Sequence, residues 1–331
     1  MLIEEFLDPK ILIVSGKGGV GKTTVAAALA LVAERHDRRV CIAEVDPKGS
    51  LPRLFDAPDL SYEPSEMIPG VWGLSILPEE SLAEYLAVQY HMRRISKAFT
   101  STHFVDYITT AAPGLKDILV LGKIWYLEQG RGGGKSRYDF DTIIVDAPAA
   151  GHMLKFLSAP LGLSDAVRLG PIRRQAEWLL EMVRDPSRTR VHLVTRPEEM
   201  PVAETLETEE ALRTRLEIDA GPIFANAVYS ELLNEQERKT FARVAADRDL
   251  EELLESAEAV GLDLEGEDLD AMLRYALFLD ARRKIQGRHL AQLGKGVEQP
   301  VIELPFLFSA GLALPDVETL ADVMEEAVEK T

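Results

Sequence analysis

The chain has 331 residues, of which 46% are hydrophobic and 28% charged, so it can bury a substantial core in one large domain or two modest ones. Acidic residues number 55 against 37 basic ones, which gives a formal net charge of −18. This charge repels nucleic acid and anionic lipid at long range and argues against a nucleic-acid partner.

The N-terminal segment MLIEEFLDPK is acidic and too short for a signal peptide. No later apolar run approaches the roughly 18 residues of a membrane-spanning helix. We therefore expect a cytoplasmic protein without stable membrane insertion.

A strand–loop–helix–strand unit opens the predicted fold. Residues 11–14 form a β-branched apolar run, a glycine-rich turn follows, a helical pattern extends from Lys22 to Arg35, and residues 40–45 form a second apolar run. Cys41, the only cysteine, lies in that second run and is expected to be a small buried core residue. A lone cysteine excludes a disulfide within the chain and a Cys-x-x-Cys metal pair.

Further apolar runs, mostly separated by helical patterns, predict an α/β fold with a doubly wound, mostly parallel sheet. These runs cover residues 71–77, 142–145, 191–195, 222–225 and 300–304. We interpret residues 1–331 as a single domain built on this sheet.

The interval between residues 77 and 142 predicts a helical insertion at 79–135, with helices over 79–99, 102–110 and 115–129 and a glycine-rich loop at 130–135. Two apolar faces lie in it. They are formed by Leu82, Tyr85, Leu86, Gln89, Met92, Ile95 and Phe99, and by Leu115, Ile118, Leu119, Leu121, Ile124, Trp125 and Leu127. Such faces usually pack on the sheet or on each other, and a groove for a client or partner is the alternative.

A second helix-rich stretch, residues 231–293, is rich in acidic side chains. Charge runs usually form a solvated face, so we expect this acidic helical region to lie at the surface.

The segment from Gly16 to Thr23 matches the pattern G-x-x-x-x-G-K-[ST] in full, between a predicted strand and a predicted helix. Its glycines let backbone N–H groups surround phosphate oxygens, and the helix start adds its positive dipole end. Lys22 is expected to neutralise the β- and γ-phosphates, and the Thr23 hydroxyl to bind Mg²⁺. The sequence therefore predicts a P-loop that binds MgATP. Its nucleotide-binding residues are Gly16, Lys17, Gly18, Gly19, Val20, Gly21, Lys22, Thr23 and Thr24.

A magnesium nucleotide site also needs a carboxylate at the end of a neighbouring strand. Asp146 follows the apolar run 142–145 and is the expected partner of Thr23. Asp46 follows the run 40–45 and either faces the phosphates or only starts a turn. The predicted Mg²⁺ ligands are Thr23, Asp46 and Asp146, some of them acting through water.

Lys17 makes this P-loop distinctive. The segment Lys-Gly-Gly-Val-Gly-Lys-Thr-Thr, from Lys17 to Thr24, resembles the deviant Walker A motif of the MinD/ArsA class of P-loop ATPases. The resemblance implies a dimer in which Lys17 reaches across to the phosphates bound by the partner. A cation supplied in trans can accelerate phosphoryl transfer by roughly 10³–10⁵.

Other segments resemble the ArsA-like family of arsenite-pump and tail-anchored-protein-targeting ATPases. Residues 146–157 are similar to switch II of that family, residues 46–51 to its switch I, and residues 113–117 to a helix start near its client-binding subdomain. The resemblance implies that Asp46 orients the attacking water or acts as a base, beside the catalytic Lys17 and Lys22. The residues that it further assigns to the nucleotide are Gly151 and, at the adenine, Asn226, Pro305 and Phe306.

Two residues depart from the family pattern, since Gly49 replaces the switch I histidine and Ala150 the switch II threonine. These replacements leave open whether ATP hydrolysis is slow or differently regulated. The arsenite-activating cysteines and the zinc-binding Cys-x-x-Cys of eukaryotic targeting ATPases are absent, so neither an arsenite-pump role nor zinc is expected.

These observations favour an ATPase that acts as a switch in a homodimer, or in a heterodimer with a paralogue. Its nucleotide state would control a helical surface for a hydrophobic or membrane-protein client. One alternative is a regulatory module that holds nucleotide with little turnover. Another is a ParA- or MinD-like positioning ATPase, which the net charge of −18 and the acidic residues 321–331 disfavour.

Overall fold

An eight-stranded sheet forms the centre of the computed structural model, which describes residues 2–46, 49–90, 114–130, 138–167, 170–247 and 250–330. Its strand order is β3-β4-β2-β5-β1-β6-β7-β8. Neighbours pair in parallel except β3 and β4, which are antiparallel at one edge. The strands are β1 (Ile11–Gly16), β2 (Val40–Glu44), β3 (Ser65–Ile68), β4 (Val71–Ser75), β5 (Thr142–Ala149), β6 (Thr189–Thr195), β7 (Ile223–Val228) and β8 (Val301–Pro305).

Helices cover both faces of the sheet. They are α1 (Ile3–Leu7), α2 (Lys22–Arg35), α3 (Ser50–Leu54), α4 (Pro78–Tyr90), α5 (Leu115–Gln129), α6 (Ala150–Ala166), α7 (Pro171–Arg184), α8 (Glu199–Ala211), α9 (Glu235–Asp247), α10 (Glu251–Ala259), α11 (Gly266–Gly296) and α12 (Leu314–Lys330). A short π-helix, Leu212–Leu216, continues α8. Within these described ranges, no helix combines the length and apolar character needed to cross a membrane.

Two hydrophobic cores lie on opposite faces of the sheet, and β1 contributes to both. Leu12 and Val14 pack in the core that contains α2 and α12, whereas Ile11 and Ile13 belong to the core that contains α5, α6 and α7. Successive side chains of a strand point to opposite faces, so a strand covered on both faces is apolar throughout. The predicted doubly wound, mostly parallel α/β fold is confirmed.

The strands differ from their predicted bounds in ways that matter for the site. β5 continues to Ala149 and β7 to Val228, so Asp146 and Asn226 lie within strands and not beyond them. β2 ends at Glu44, which leaves Asp46 in the following loop. The edge strand β3 was not predicted, because its residues are exposed or half-buried and form no apolar run.

The predicted insertion at residues 79–135 is helical in its described part. α5 has the predicted bounds, and α4 begins one residue before the predicted start. The prediction for residues 91–113, which includes the 102–110 helix, Pro113 and the apolar side chains Met92, Ile95 and Phe99, lies outside the described residues, as does the loop after Gly130. Cys41 is buried in β2 as expected, and burial raises the pKa of its thiol.

The acidic helical region is formed by α9, α10 and most of α11. Acidic side chains of α10 and α11 are exposed, as expected for a solvated face, including Glu255 and Glu267. The apolar side chains of Met272 and Phe278 on α11 are exposed as well. Asp280 and Gln286 of α11 are buried, however, and Asp280 accepts a hydrogen bond from Arg238 of α9 at 2.7 Å. The region therefore packs as part of the fold, and α11 reaches the end of β7 through Gln286.

Candidate active site

The phosphate-binding loop joins the end of β1 to the start of α2. It lies at the carboxyl edge of the parallel strands, which is where ligands bind in open α/β sheets. β5 is the neighbour of β1 in the sheet, and β2 is the next strand beyond it. The backbone N–H of Val45 donates to the Asp146 carbonyl at 3.2 Å, which brings the segment before Asp46 to the same edge.

Close backbone approaches explain two glycines of the loop. A Cβ at Gly16 would lie 2.0 Å from the Val194 carbonyl oxygen of β6, so no other residue fits there. Gly21 has a φ of 95°, in the left-handed region, and a Cβ there would lie 2.2 Å from Asn226 Nδ2. Gly21 is the N-cap residue of α2 and has no side chain that could cap the helix. The N–H groups of the first helical turn therefore have no side-chain partner from that residue.

Thr23 and Asp146, two of the predicted Mg²⁺ ligands, are in direct contact. The Thr23 hydroxyl at the start of α2 donates to Asp146 Oδ2 at 2.6 Å. Asp146 is only 7% exposed, because β5 has neighbours on both sides. Hydroxyl and carboxylate oxygens are the hard ligands that Mg²⁺ takes beside nucleotide phosphates, so this pair fits the ion.

The two lysines of the loop have different positions. Lys22 Nζ lies 3.5 Å from the backbone carbonyl of Lys17, and therefore beside the loop itself. Lys17 Nζ forms an ion pair with Glu204 Oε2 of α8 at 3.3 Å, and both side chains are about one-third exposed. The amine of Lys17 is thus held by a helix outside the loop.

The segments assigned to the adenine meet at the end of β7, where Asn226 also contacts the loop. Asn226 Nδ2 donates to the Val20 carbonyl at 2.9 Å, and the backbone N–H of Phe306 donates to the Val228 carbonyl at 2.8 Å. The Phe306 ring lies 4.9 Å from the ring of Tyr229, between centroids, and 4.9 Å from that of Phe308. Pro305 ends β8 directly before this aromatic group.

Two further predicted residues, Asp46 and Gly151, follow strands β2 and β5 of the same sheet. Asp46 is exposed, two residues beyond β2. Gly151 is exposed in the first turn of α6, with open space where a Cβ would project. The roles assigned to both stay predictions.

A cavity of about 250 Å³ lies between α4, α5, α6 and α7. The described parts of the two predicted apolar faces meet there, since Leu82 and Tyr85 of α4 and Ile118 of α5 all line it. Trp125 and Trp178 stack at one wall, with ring centroids 5.8 Å apart and an interplanar angle of 6°.

An ion pair sits in the wall of this cavity. The fully buried side chain of Lys123 lies 2.8 Å from Glu84 Oε2 and 4.0 Å from the centre of the Tyr62 ring. Burial, and then the Glu84 carboxylate, raise the pKa of the Tyr62 hydroxyl. The two charges neutralise each other, which leaves a mainly apolar lining.

Sequence reasoning missed Glu204, which pairs with Lys17 of the loop, and Gln286, which contacts Ala227 and Tyr229 beside Asn226. Glu204 is one of several glutamates on α8, and Gln286 is one polar residue on a long charged helix. No local pattern distinguishes either, because their partners are far away in sequence.

Comparison with known proteins places this chain in a family. The model of the anion-transporting ATPase family (ArsA ATPase) matches residues 9–181. The ATPase BagA of Mycobacterium tuberculosis is 31% identical over 326 residues, which cover 96% of this chain and 93% of BagA. Arsenical pump-driving ATPases of Acidiphilium multivorum and Escherichia coli are 28% and 26% identical over 62% of this chain and 37% of their own length.

The range matched by the family model includes the whole P-loop together with Asp46, Asp146 and Gly151. The matches agree with the resemblance to ArsA-like proteins noted from Lys17 and the switch segments. The chain therefore belongs to the anion-transporting ATPase family, and it is an ATP-binding ATPase.

Proposed function

We propose that this ATPase is magnesium-dependent and works as a dimeric switch, in which Lys17 of one subunit acts on the nucleotide of the other. The observation that carries the proposal is the separation of the two loop lysines. Lys22 lies at the loop backbone, whereas Lys17 pairs with Glu204 on α8. This separation supports a role for Lys22 at the phosphates of its own subunit and for Lys17, once it leaves Glu204, at those of a second subunit.

Five side chains have a role in this proposal. Lys22 and the N–H groups at the start of α2 neutralise and hold the phosphates. Thr23 and Asp146 hold Mg²⁺, which supplies charge neutralisation at the phosphate oxygens when it is bound. Asp46 orients the attacking water, and Lys17 adds the cation in trans that stabilises charge developing in the transition state.

The deciding experiment is steady-state ATPase activity across protein concentration, with Lys17→Ala alongside the wild type. The proposal requires specific activity to rise with protein concentration in the wild type and to stay low in the variant while MgATP affinity is kept. Equal turnover in both proteins would refute the role of Lys17 in trans. Tight MgATP binding without turnover would favour the module that only holds nucleotide, in line with Gly49 and Ala150 in the switch segments.

The cavity between α4, α5, α6 and α7 suggests what the switch controls. We propose that it forms part of a surface for a hydrophobic client, including the apolar segment of a membrane protein. Its support is the mainly apolar lining, which contains the Trp125–Trp178 stack and no net charge from the Lys123–Glu84 pair. Burial of apolar client surface there would contribute roughly 25 cal/mol per Å².

A charged substitution at the cavity edge tests this second proposal. Ile172 lines the cavity and is 49% exposed, so Ile172→Glu changes the surface with little effect on the core. Tryptophan fluorescence is followed while a soluble peptide with an uncharged, leucine-rich segment is added. We expect Ile172→Glu to weaken binding, whereas Ile285→Glu, at a 44% exposed position on α11, should not. Equal binding by all three proteins would argue against a client at the cavity.

A further inference from the structure

Asn226 fastens the phosphate-binding loop to β7. Its Nδ2 donates to the Val20 carbonyl at 2.9 Å, and its Oδ1 accepts from the backbone N–H of Ala227 at 2.9 Å. A carbonyl only accepts and an N–H only donates, so these two partners define the orientation of the amide. The same amide lies where a Cβ of Gly21 would be. The position of Asn226 therefore sets the backbone of the loop just before Lys22.

The backbone after Asn226 adopts a conformation that needs support. Ala227 has a φ of 58°, in the left-handed region that L residues with a Cβ rarely occupy. Such conformations persist where the surrounding structure fixes them. The pairing of β7 with β8 shows an irregularity between Ala225 and Val228, which is the stretch that contains Ala227.

Gln286 of α11 supplies that support. Its Nε2 donates to the Ala227 carbonyl at 2.9 Å, and its Oε1 accepts from the Tyr229 N–H at 2.8 Å. Gln286 is 5% exposed, so water cannot readily replace the hydrogen bonds that its amide makes. Both partners again define the amide orientation. One side chain thus bridges the two residues on either side of Val228 and holds the irregular backbone.

We propose that Gln286 is a positioning residue for nucleotide binding, acting on the phosphate-binding loop through Ala227 and Asn226. The hydrogen bonds run from Gln286 to Ala227, from Ala227 to the Asn226 side chain, and from Asn226 to Val20. They connect the acidic helical region to the loop that holds the phosphates. The inference depends on the ATP site of this family and is independent of the dimer and of the client.

The test replaces Gln286 with leucine, which has a similar size and no hydrogen-bonding group. MgATP and MgADP affinities are measured by calorimetry, with thermal unfolding of the nucleotide-free protein alongside. We expect Gln286→Leu to raise both dissociation constants by roughly tenfold, which corresponds to about 1.4 kcal/mol. The kcat at saturating MgATP should stay within about twofold, because the groups that act on the phosphates are unchanged. Gln292→Leu, at an exposed position on the same helix, is the matched control and should bind as the wild type does.

A double-mutant cycle with Asn226→Ala separates positioning from general stability. If Gln286 acts through Asn226, adding Gln286→Leu to Asn226→Ala should weaken binding by less than about twofold, because the connection is already broken. A second full tenfold loss would overturn the proposal. So would a Gln286→Leu protein with a lower melting temperature and wild-type affinity.

A second substitution keeps the test open if the leucine variant does not fold. Gln286→Glu keeps the size and the acceptor for the Tyr229 N–H, but it replaces the donor to the Ala227 carbonyl with a carboxylate oxygen and adds a negative charge. Weaker MgATP binding is expected in this variant too, and unchanged affinity would refute the role of Gln286.

Discussion

Lys17 of the phosphate-binding loop and Glu204 of α8 form an ion pair within one chain, with Nζ and Oε2 3.3 Å apart. The side chains are 31% and 34% exposed, so water screens the pair and it is weak enough to exchange partners. If Lys17 acts on the nucleotide of a second subunit, this contact has to break when the dimer closes. Glu204 would then hold Lys17 away from the reaction until a partner arrives.

Glu204→Gln should lower the protein concentration at which dimer-dependent ATPase activity appears. Removing the carboxylate releases Lys17, and an exposed ion pair contributes about 0.2–1 kcal/mol. Because two such pairs break in a homodimer, the protein concentration at half-maximal specific activity should fall by up to about 30-fold. The measurement is ATPase activity over a dilution series. Glu207→Gln, an exposed glutamate on the same helix, should leave the midpoint unchanged. A Glu204→Gln protein as inactive as Lys17→Ala would show instead that Glu204 assists Lys17.

Lys22→Ala should abolish useful nucleotide binding. Its amine lies beside the loop backbone, where the phosphates are expected, and hydrogen bonds to charged groups contribute about 1.5–3 kcal/mol each. We expect the dissociation constant for MgATP to rise by at least about 100-fold in calorimetry, since more than one such bond is lost. Lys239→Ala, at a 76% exposed side chain, serves as the control. Unchanged affinity in Lys22→Ala would contradict the assignment of the site.

Thr23→Val and Asp146→Asn should both alter the magnesium requirement. The two side chains are 2.6 Å apart and are expected to hold one ion, so losing either should raise the half-saturating Mg²⁺ concentration of the ATPase by roughly tenfold or more. ATP binding without Mg²⁺ should change little in Thr23→Val. Because the residues act together, the double variant should be little worse than either single one. Independent, additive effects would mean that they do not share a metal ion.

Asp46→Asn should slow hydrolysis while sparing affinity. A side chain that orients or deprotonates the attacking water typically contributes 10²–10⁴-fold, so single-turnover rates at saturating MgATP should fall by about 100-fold or more. Asp56→Asn is a suitable control, because Asp56 is also an exposed acidic residue in a nearby loop. Wild-type rates in Asp46→Asn would leave Asp46 with a turn-forming role only.

His192 of β6 should make the fold sensitive to acid. The ring is fully buried between Phe6 and Phe224, and this burial lowers its pKa from 6.5 to about 4. The unfolded chain takes up a proton near pH 6.5, whereas the folded chain does so only near pH 4. The stability contributed by neutral His192 is therefore complete above pH 6.5 and is lost as the pH falls towards 4.

The size of this effect follows from the pKa difference. Between pH 6.5 and pH 5, His192 should remove roughly 1.5 kcal/mol from the free energy of unfolding, because half of the unfolded-state histidine is already protonated at pH 6.5. Urea unfolding at several pH values measures it. In His192→Phe, which keeps an aromatic ring between Phe6 and Phe224, the total loss of unfolding free energy between pH 6.5 and pH 5 should be smaller by that amount. An unchanged slope would show that other groups cause the acid sensitivity.

Much of the fold and part of the site could be predicted from local sequence. Helix α2 has the predicted bounds because its apolar residues face one core and a glycine stands before it. The Thr23–Asp146 contact could also be predicted. The loop that leads to Thr23 follows β1, Asp146 lies near the carboxyl end of β5, and the carboxyl ends of neighbouring parallel strands meet at one edge of the sheet. The antiparallel strand β3 was missed, since an exposed edge strand has no apolar pattern.

The sequence by itself therefore determined the phosphate-binding loop, the class of sheet and the family, because each of these is encoded in residues close together along the chain. Only the tertiary structure decided that Glu204 pairs with Lys17, that Asn226 holds Val20 from 206 residues away, and that Gln286 supports Ala227. The physical reason is that single hydrogen bonds and ion pairs leave no periodic pattern in the sequence. Their partners are chosen by the order of the strands and the packing of α8 and α11 around them.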